Sequence, residues 1–184
     1  MTKKKKEKLE WEQDIPDGTE IKVDGSRISV KKGAKSIERD FNTKKVKIEV
    51  KGKKLVIKSP RFTKVARRTA GSILAHVQNM CKGLAKAHVY KLKICSGHFP
   101  INVSVSGNEF VVKNFLGESA PRKIKLREGV KVKVEGTEVT VESERLELAG
   151  QTAADIEQLT KIKDRDLTRF QDGIYIIEKD GDEI

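Results

Sequence analysis

The sequence predicts an α+β protein of two tandem duplicated domains, each made of antiparallel β-hairpins or sheets packed with one α-helix. Three observations lead there. Short runs in which apolar residues alternate meet at glycine-containing turns, the pattern of hairpins with one wet face. One stretch in each half switches to helical periodicity, and a single apolar stripe on a helix must be buried against something. Finally, the same landmarks return in the same order in the second half.

In chain order, residues 1–14 form a charged arm whose Lys3 to Lys6 and Lys8 suit phosphate contact and simple solvation equally. Residues 15–95 make the first domain. Ile21 and Val23 alternate, Asp24-Gly25-Ser26 turns, and Ile28 and Val30 return as a hairpin. Val46, Ile48 and Val50 lead through Lys51-Gly52-Lys53 to Leu55 and Ile57, with Lys45, Lys47, Glu49 and Lys51 outward. After Pro60 the period changes: Ala66, Ala70, Ile73, Val77, Met80, Cys81 and Leu84 share one helical face, and Gly83 places the end nearby. Val89, Leu92 and Ile94 then read as an extended run.

Residues 96–184 make the second domain. Ile101, Val103 and Val105 turn at Ser106-Gly107-Asn108 into Phe110 and Val112. Val130, Val132 and Val134 turn at Glu135-Gly136-Thr137 into Val139 and Val141. A helix from about Gly150 carries Ala153, Ile156 and Thr160 on one face, and Asp172-Gly173 turns into the strand Ile174-Tyr175-Ile176. Gly25 and Gly107 stand 82 apart, Gly52 and Gly136 stand 84 apart, and the Ala70-Gly71 and Ala149-Gly150 pairs stand 79 apart. The repeated unit reads as hairpin, hairpin, helix, strand.

Charged residues make up 36% of the chain against about 25% in an average domain, and the net charge of +12 points to a polyanion, nucleic acid first. The excess is uneven: residues 1–90 carry +14 and residues 91–184 carry −2. Cys81 and Cys95 form no C-x-x-C pair, and His76, His88 and His98 lie in different elements without zinc-ligand spacing, so no metal or cofactor is expected. The thiols read as core fillers and the histidines as partly exposed. Lys32-Gly33-Ala34-Lys35-Ser36 lacks the phosphate-loop spacing, and no serine or cysteine has an identifiable base. An enzyme and a small-molecule substrate are therefore not expected. With no apolar leader after Met1 and no apolar run long enough to span a bilayer, the chain reads as cytoplasmic, without a membrane partner, and the Asn102-Val103-Ser104 sequon as irrelevant.

Three basic clusters remain: Arg61, Lys64, Arg67 and Arg68; Arg122, Lys123, Lys125 and Arg127; and Lys161, Lys163, Arg165 and Arg169. Any one of them is as readily a solvated face as a contact. Aromatic residues are only 5%, and no pair sits at strand spacing, which favours recognition of folded RNA by backbone and shape over reading of single strands.

The chain resembles ribosomal protein six of the large subunit, in its archaeal and eukaryotic branch. The residues that carry the resemblance are Gln158, Ile162, Arg165, Phe170, Asp172-Gly173-Ile174-Tyr175-Ile176 and Lys179. Leu148-Ala149-Gly150-Gln151-Thr152-Ala153-Ala154-Asp155-Ile156, the Asn114-Phe115-Leu116-Gly117-Glu118 to Pro121-Arg122 segment and the duplication add to it. One departure is Thr168, where the family pattern carries arginine. The resemblance implies a structural constituent of the large ribosomal subunit. Its second domain would bind large-subunit rRNA near the sarcin–ricin and factor-binding region, and neighbouring ribosomal proteins would include those of the stalk base. Carried over by position, the rRNA-binding candidates are Lys161, Lys163, Arg165 and Arg169, then Arg122, Lys123 and Lys125. The competing reading from the residues alone is a non-catalytic interaction adaptor that docks a partner on exposed sheet edges.

Overall fold

Each hairpin is closed where the chain needs a left-handed turn, and the duplicated glycines supply it: Gly25 and Gly107 have φ of 62° and 60°, Gly52 and Gly136 have 59° and 60°. The computed structural model describes residues 10–43, 46–61 and 63–184, and the lysine arm at residues 3–8 lies outside that range. The chain forms two compact units, residues 1–86 and 87–184.

In the first unit the strands are β1 (Glu10–Asp14), β2 (Glu20–Asp24), β3 (Arg27–Lys32), β4 (Lys35–Asp40), β5 (Lys47–Lys51) and β6 (Lys54–Lys58), followed by the helix α1 (Lys64–Ala85). They pair as two antiparallel three-stranded sheets, β2-β3-β4 and β1-β6-β5. Thr63 caps α1 by accepting from the Ala66 N–H at 3.1 Å. All seven residues of the apolar stripe read from the sequence are buried in α1, joined by Gly83, and they pack with Ile28, Val30, Ile37, Ile48, Leu55 and Ile57.

The second unit runs β7 (His88–Cys95), β8 (Asn102–Ser106), β9 (Glu109–Lys113), a single 3-10 turn at Phe115–Gly117, β10 (Arg122–Lys125), β11 (Val130–Glu135), β12 (Glu138–Ser143), α2 (Leu146–Leu159), β13 (Gly173–Lys179) and β14 (Asp182–Glu183). One sheet is the meander β10-β9-β8; the other has the order β11-β12-β7-β13-β14. α2 lies over the second sheet, and its Ala153 and Ile156 meet Leu92, Val139, Val141, Ile174, Phe110 and Phe115 in one core. The helix starts at Leu146, a turn before the Gly150 expected from the sequence, because Ala149 extends the buried stripe at 0% exposure.

Several expectations change. Residues 10–14 do not belong to an arm: they pair in register with β6, Trp11 opposite Ile57, and Trp11 packs against the core. The first domain does not extend to residue 95, because β7 hydrogen-bonds to β12 on one side and β13 on the other. The repeat is therefore strand, three-stranded meander, hairpin, helix. β1-β6-β5 in the first copy matches β7-β12-β11 in the second, and Trp11 beside Ile57 has its counterpart in Tyr90 beside Val141. Gly33 and Ala34 form the tight β3–β4 turn, so that lysine-flanked segment is a hairpin corner. His88 is buried at 2% exposure, where the sequence reading leaves it partly exposed, since its Nδ1 meets the Asp180 carboxylate at 2.8 Å. Cys81 is a core filler, as expected, and burial pushes its thiol pKa up. Among the described residues no helix is long and apolar enough to cross a membrane.

Phe110 is fully buried and central to the second core. Phe110→Ala is expected to destabilise the second unit by about 3–5 kcal/mol. Chemical denaturation read at a probe in that unit checks it, and a loss below about 1 kcal/mol would contradict the packing described.

Candidate nucleic-acid interface

The connector from α2 to β13 is held firmly at both ends. At its start, the Thr160 hydroxyl donates to the Glu157 carbonyl at 3.2 Å and accepts from the Ile174 N–H at 2.9 Å, tying the helix terminus to β13. The last turn of α2 has no basic residue of its own. Arg122 supplies the missing cation from β10: its Nη1 donates to the carbonyls of Leu159 at 2.8 Å and Lys161 at 3.4 Å. The same guanidinium makes two bonds to Glu118, at 2.9 and 2.6 Å, and stacks 4.2 Å from the centre of the Phe115 ring. This hydrogen bonding, with the Arg122 charge behind it and burial opposing, holds the Glu118 carboxyl below its usual pKa.

At its far end the connector closes on Asp172, a carboxylate with 1% exposure. It accepts from the N–H groups of Gly97 at 2.5 Å and His98 at 2.9 Å, and from His98 Nδ1 at 2.6 Å. Burial pushes its pKa up, but the three donors outweigh it and the net direction is down. An ionised carboxylate only accepts, so Nδ1 of His98 carries the proton. The His98 ring also stacks on Phe170, 4.7 Å between centroids, and the Arg165 guanidinium lies 4.9 Å from the Phe170 ring centre.

Between these anchors, Ile162 is buried while Lys161, Lys163, Arg165 and Arg169 are all exposed. Asp166 is ion-paired with none of them among the described residues: its Oδ1 accepts from the Thr168 N–H at 2.9 Å and the Thr168 hydroxyl at 2.7 Å, a local turn that lowers its pKa and keeps it ionised. Thr168 thus stabilises the loop. Lys161, Lys163 and Arg169 have no carboxylate partner among the described residues.

The second sequence cluster divides. Alternation along β10 puts Arg122 on the face of Ile124, toward the core, and Lys123 and Lys125 on the opposite, exposed face, where Lys123 approaches Glu109 at 3.9 Å. Arg127 pairs with Asp155 at 2.9 Å. Arg61, Lys64, Arg67 and Arg68 are exposed in the first unit. Sequence reasoning missed the aromatic grouping of His98 and Phe170, because its members come from loops 72 residues apart. Tyr175, 41% exposed, completes the neighbourhood; a Cβ on Gly173 would meet its ring at 3.0 Å, so Gly173 lets that ring lie down on the backbone.

Residues 99–173 match the family model described as ribosomal protein L6. The chain is 45% identical over 170 residues to large ribosomal subunit protein uL6 of Methanococcus vannielii, covering 92% of this chain and 93% of that protein. It is 43% identical over 169 residues to the Aeropyrum pernix protein of the same name, covering 91% and 92%. For the Ignicoccus hospitalis protein, also so named, identity is 42% over 172 residues with the same coverage.

Two outcomes follow from the anchors. Arg122→Lys keeps the charge and loses the planar fork, and is expected to lower thermal stability by about 1–3 kcal/mol while leaving the salt dependence of nucleic-acid binding unchanged. Asp172 has a depressed folded-state pKa, so its stabilisation is complete above the unfolded value of about 3.9 and is lost as pH falls through the folded value. Below about pH 4, unfolding curves of Asp172→Asn should therefore show a shallower acid loss than those of the native chain.

Proposed function

Because the chain belongs to the ribosomal protein L6 family, we propose that it is a non-catalytic structural constituent of the large ribosomal subunit that grips large-subunit rRNA with its α2–β13 connector. One observation carries the assignment to the connector. Four exposed cations sit on a segment clamped by Arg122 and Thr160 at one end and Asp172 at the other. A loop already ordered by the fold loses little conformational freedom when it meets phosphates, so more of each contact appears as affinity. Lys161, Lys163 and Arg169 make the phosphate contacts, with Arg165 held beside Phe170. Lys123 and Lys125 provide a secondary contact on the outer face of β10, whereas Arg122 positions the connector instead of touching RNA.

The family resemblance supports a location near the sarcin–ricin and factor-binding region, with stalk-base proteins among the neighbours. The strongly basic first half suits a second RNA surface or acidic protein neighbours in the same assembly.

The chain is expected to co-sediment with large subunits through moderate salt, and recovery only in the post-ribosomal supernatant would sink the assignment. Replacing Lys161, Lys163 and Arg169 together by alanine should weaken rRNA binding. It should also flatten the log–log salt dependence by roughly 0.7–0.9 per lost phosphate contact. An unchanged slope would move the RNA face elsewhere.

A further inference from the structure

Beside the connector, the ends of β7 and β13 leave an open depression of ≈ 560 Å³, lined by Ser96, His98, Arg169, Gln171, Asp172 and Tyr175 among others. Its chemistry is mixed in a particular way. Arg169 brings a fixed positive charge, and the Gln171 amide both donates and accepts hydrogen bonds. Tyr175 and His98 bring flat rings, 41% exposed for the tyrosine residue and 40% for the histidine side chain. The one carboxylate in the wall is spent: Asp172 is turned inward to three donors.

A ring to stack on, an amide to read an edge, and a cation for a phosphate describe a nucleotide. The volume exceeds what one base needs, yet the bowl is open to solvent and would not enclose most of a free small molecule. A base delivered by its own chain needs no such enclosure, because the neighbouring phosphates are already held. Building on the rRNA-binding reading above, we propose that this depression takes one unpaired nucleotide, swung out of the RNA that the connector grips, with its base against Tyr175 and His98 and its phosphate at Arg169.

The proposal explains two features that phosphate contact alone leaves idle. The Tyr175 ring is outside the core cluster and fixed at its tip, where its hydroxyl donates to the Asp172 carbonyl at 3.5 Å, and Gly173 is needed for that ring to lie flat, since a Cβ there would meet it at 3.0 Å. Likewise the His98 ring is fixed from behind by Phe170 and from below by Asp172, so it meets a base already oriented.

The test measures binding of the full chain to transcribed large-subunit rRNA across a potassium chloride series. Tyr175→Leu keeps an apolar cover over Gly173 but removes the stacking face, and should bind about tenfold more weakly with the salt slope unchanged. Tyr175→Phe should bind within about twofold of the native chain. Short-wavelength irradiation of assembled large subunits should join a peptide containing His98 or Tyr175 to a single unpaired nucleotide. Native affinity in Tyr175→Leu, with the connector variants still flattening the slope, would overturn this proposal and leave the rRNA assignment standing. Failure of the native chain to bind the rRNA removes both. Adenosine monophosphate serves as the free-nucleotide probe: tight binding of it, undisturbed by rRNA, would overturn the assignment of the depression to RNA.

Discussion

A desolvated carboxylate just before β13, Asp172, holds the connector of the second unit in place. Left unpaired, an ion as buried as Asp172 would cost several kcal/mol. Its two oxygens instead accept from two consecutive N–H groups and one imidazole, all from the loop that follows β7. The bond network therefore does two things at once. It stitches the loop after β7 to the entry of β13, extending the register that begins at Cys95 and Gly173, and it sets the plane of the His98 ring. Phe170 and then Arg165 stack in sequence on that ring, so the orientation of the connector's aromatic and cationic groups traces back to one buried charge.

The duplication explains why, among the described residues, the connector belongs to one copy only. Both copies build a meander and a three-stranded ladder under a helix, and both pack a partly buried aromatic on the first strand against the core, Trp11 or Tyr90. In the first copy the chain leaving α1 goes on to start the second copy. In the second copy the chain leaving α2 folds back along β7 as β13, with Glu157 accepting from the Ile176 N–H beside a bulge in that strand. The return crosses the thirteen residues from Thr160 to Asp172 before the ladder begins at Gly173, and those residues are the connector. The connector is thus an addition to the repeated scaffold, placed between the second helix and the strand that returns along β7.

Much of this fold was legible because two-sided strands and amphipathic helices write their period into the chain. The turn glycines, the α1 stripe and the 79-residue offset between helices all correspond to observed elements. Illegible strands share a reason. β1, β4 and β10 lie at sheet edges and carry few apolar residues, Trp11, Ile37 and Ile124 respectively, so no alternation stands out against their charges. The boundary after Lys86 was hidden differently: β7 is plainly a strand, but nothing local says that its partners lie 45 or more residues ahead. Arg122 could have been separated from Lys123 by the strand period alone, had β10 been recognised. The pairing of His98 with Phe170 and Asp172 could not, since it depends on two loops meeting.

The charge of the second half shows why a formal sum misplaces an interface. Residues 91–184 carry −2, yet many of their carboxylates are answered within the fold. Glu118 is held by Arg122, Asp155 by Arg127, Glu178 by Lys91, and Asp172 by His98 and two backbone donors. Asp166, in the midst of the connector, turns its oxygen to Thr168. At physiological ionic strength charges separated by more than about 8 Å scarcely feel each other, so a phosphate approaching the connector meets the local field and not the total. That local field is set by Lys161, Lys163, Arg165 and Arg169 together with the exposed Asp164 and Asp166 between them, and Lys161, Lys163 and Arg169 have no carboxylate partner among the described residues. The acidic residues of this half lower its nonspecific attraction for polyanions. The proposed contact relies on the shape and placement of a few cations, which is why the net charge of this half does not locate it.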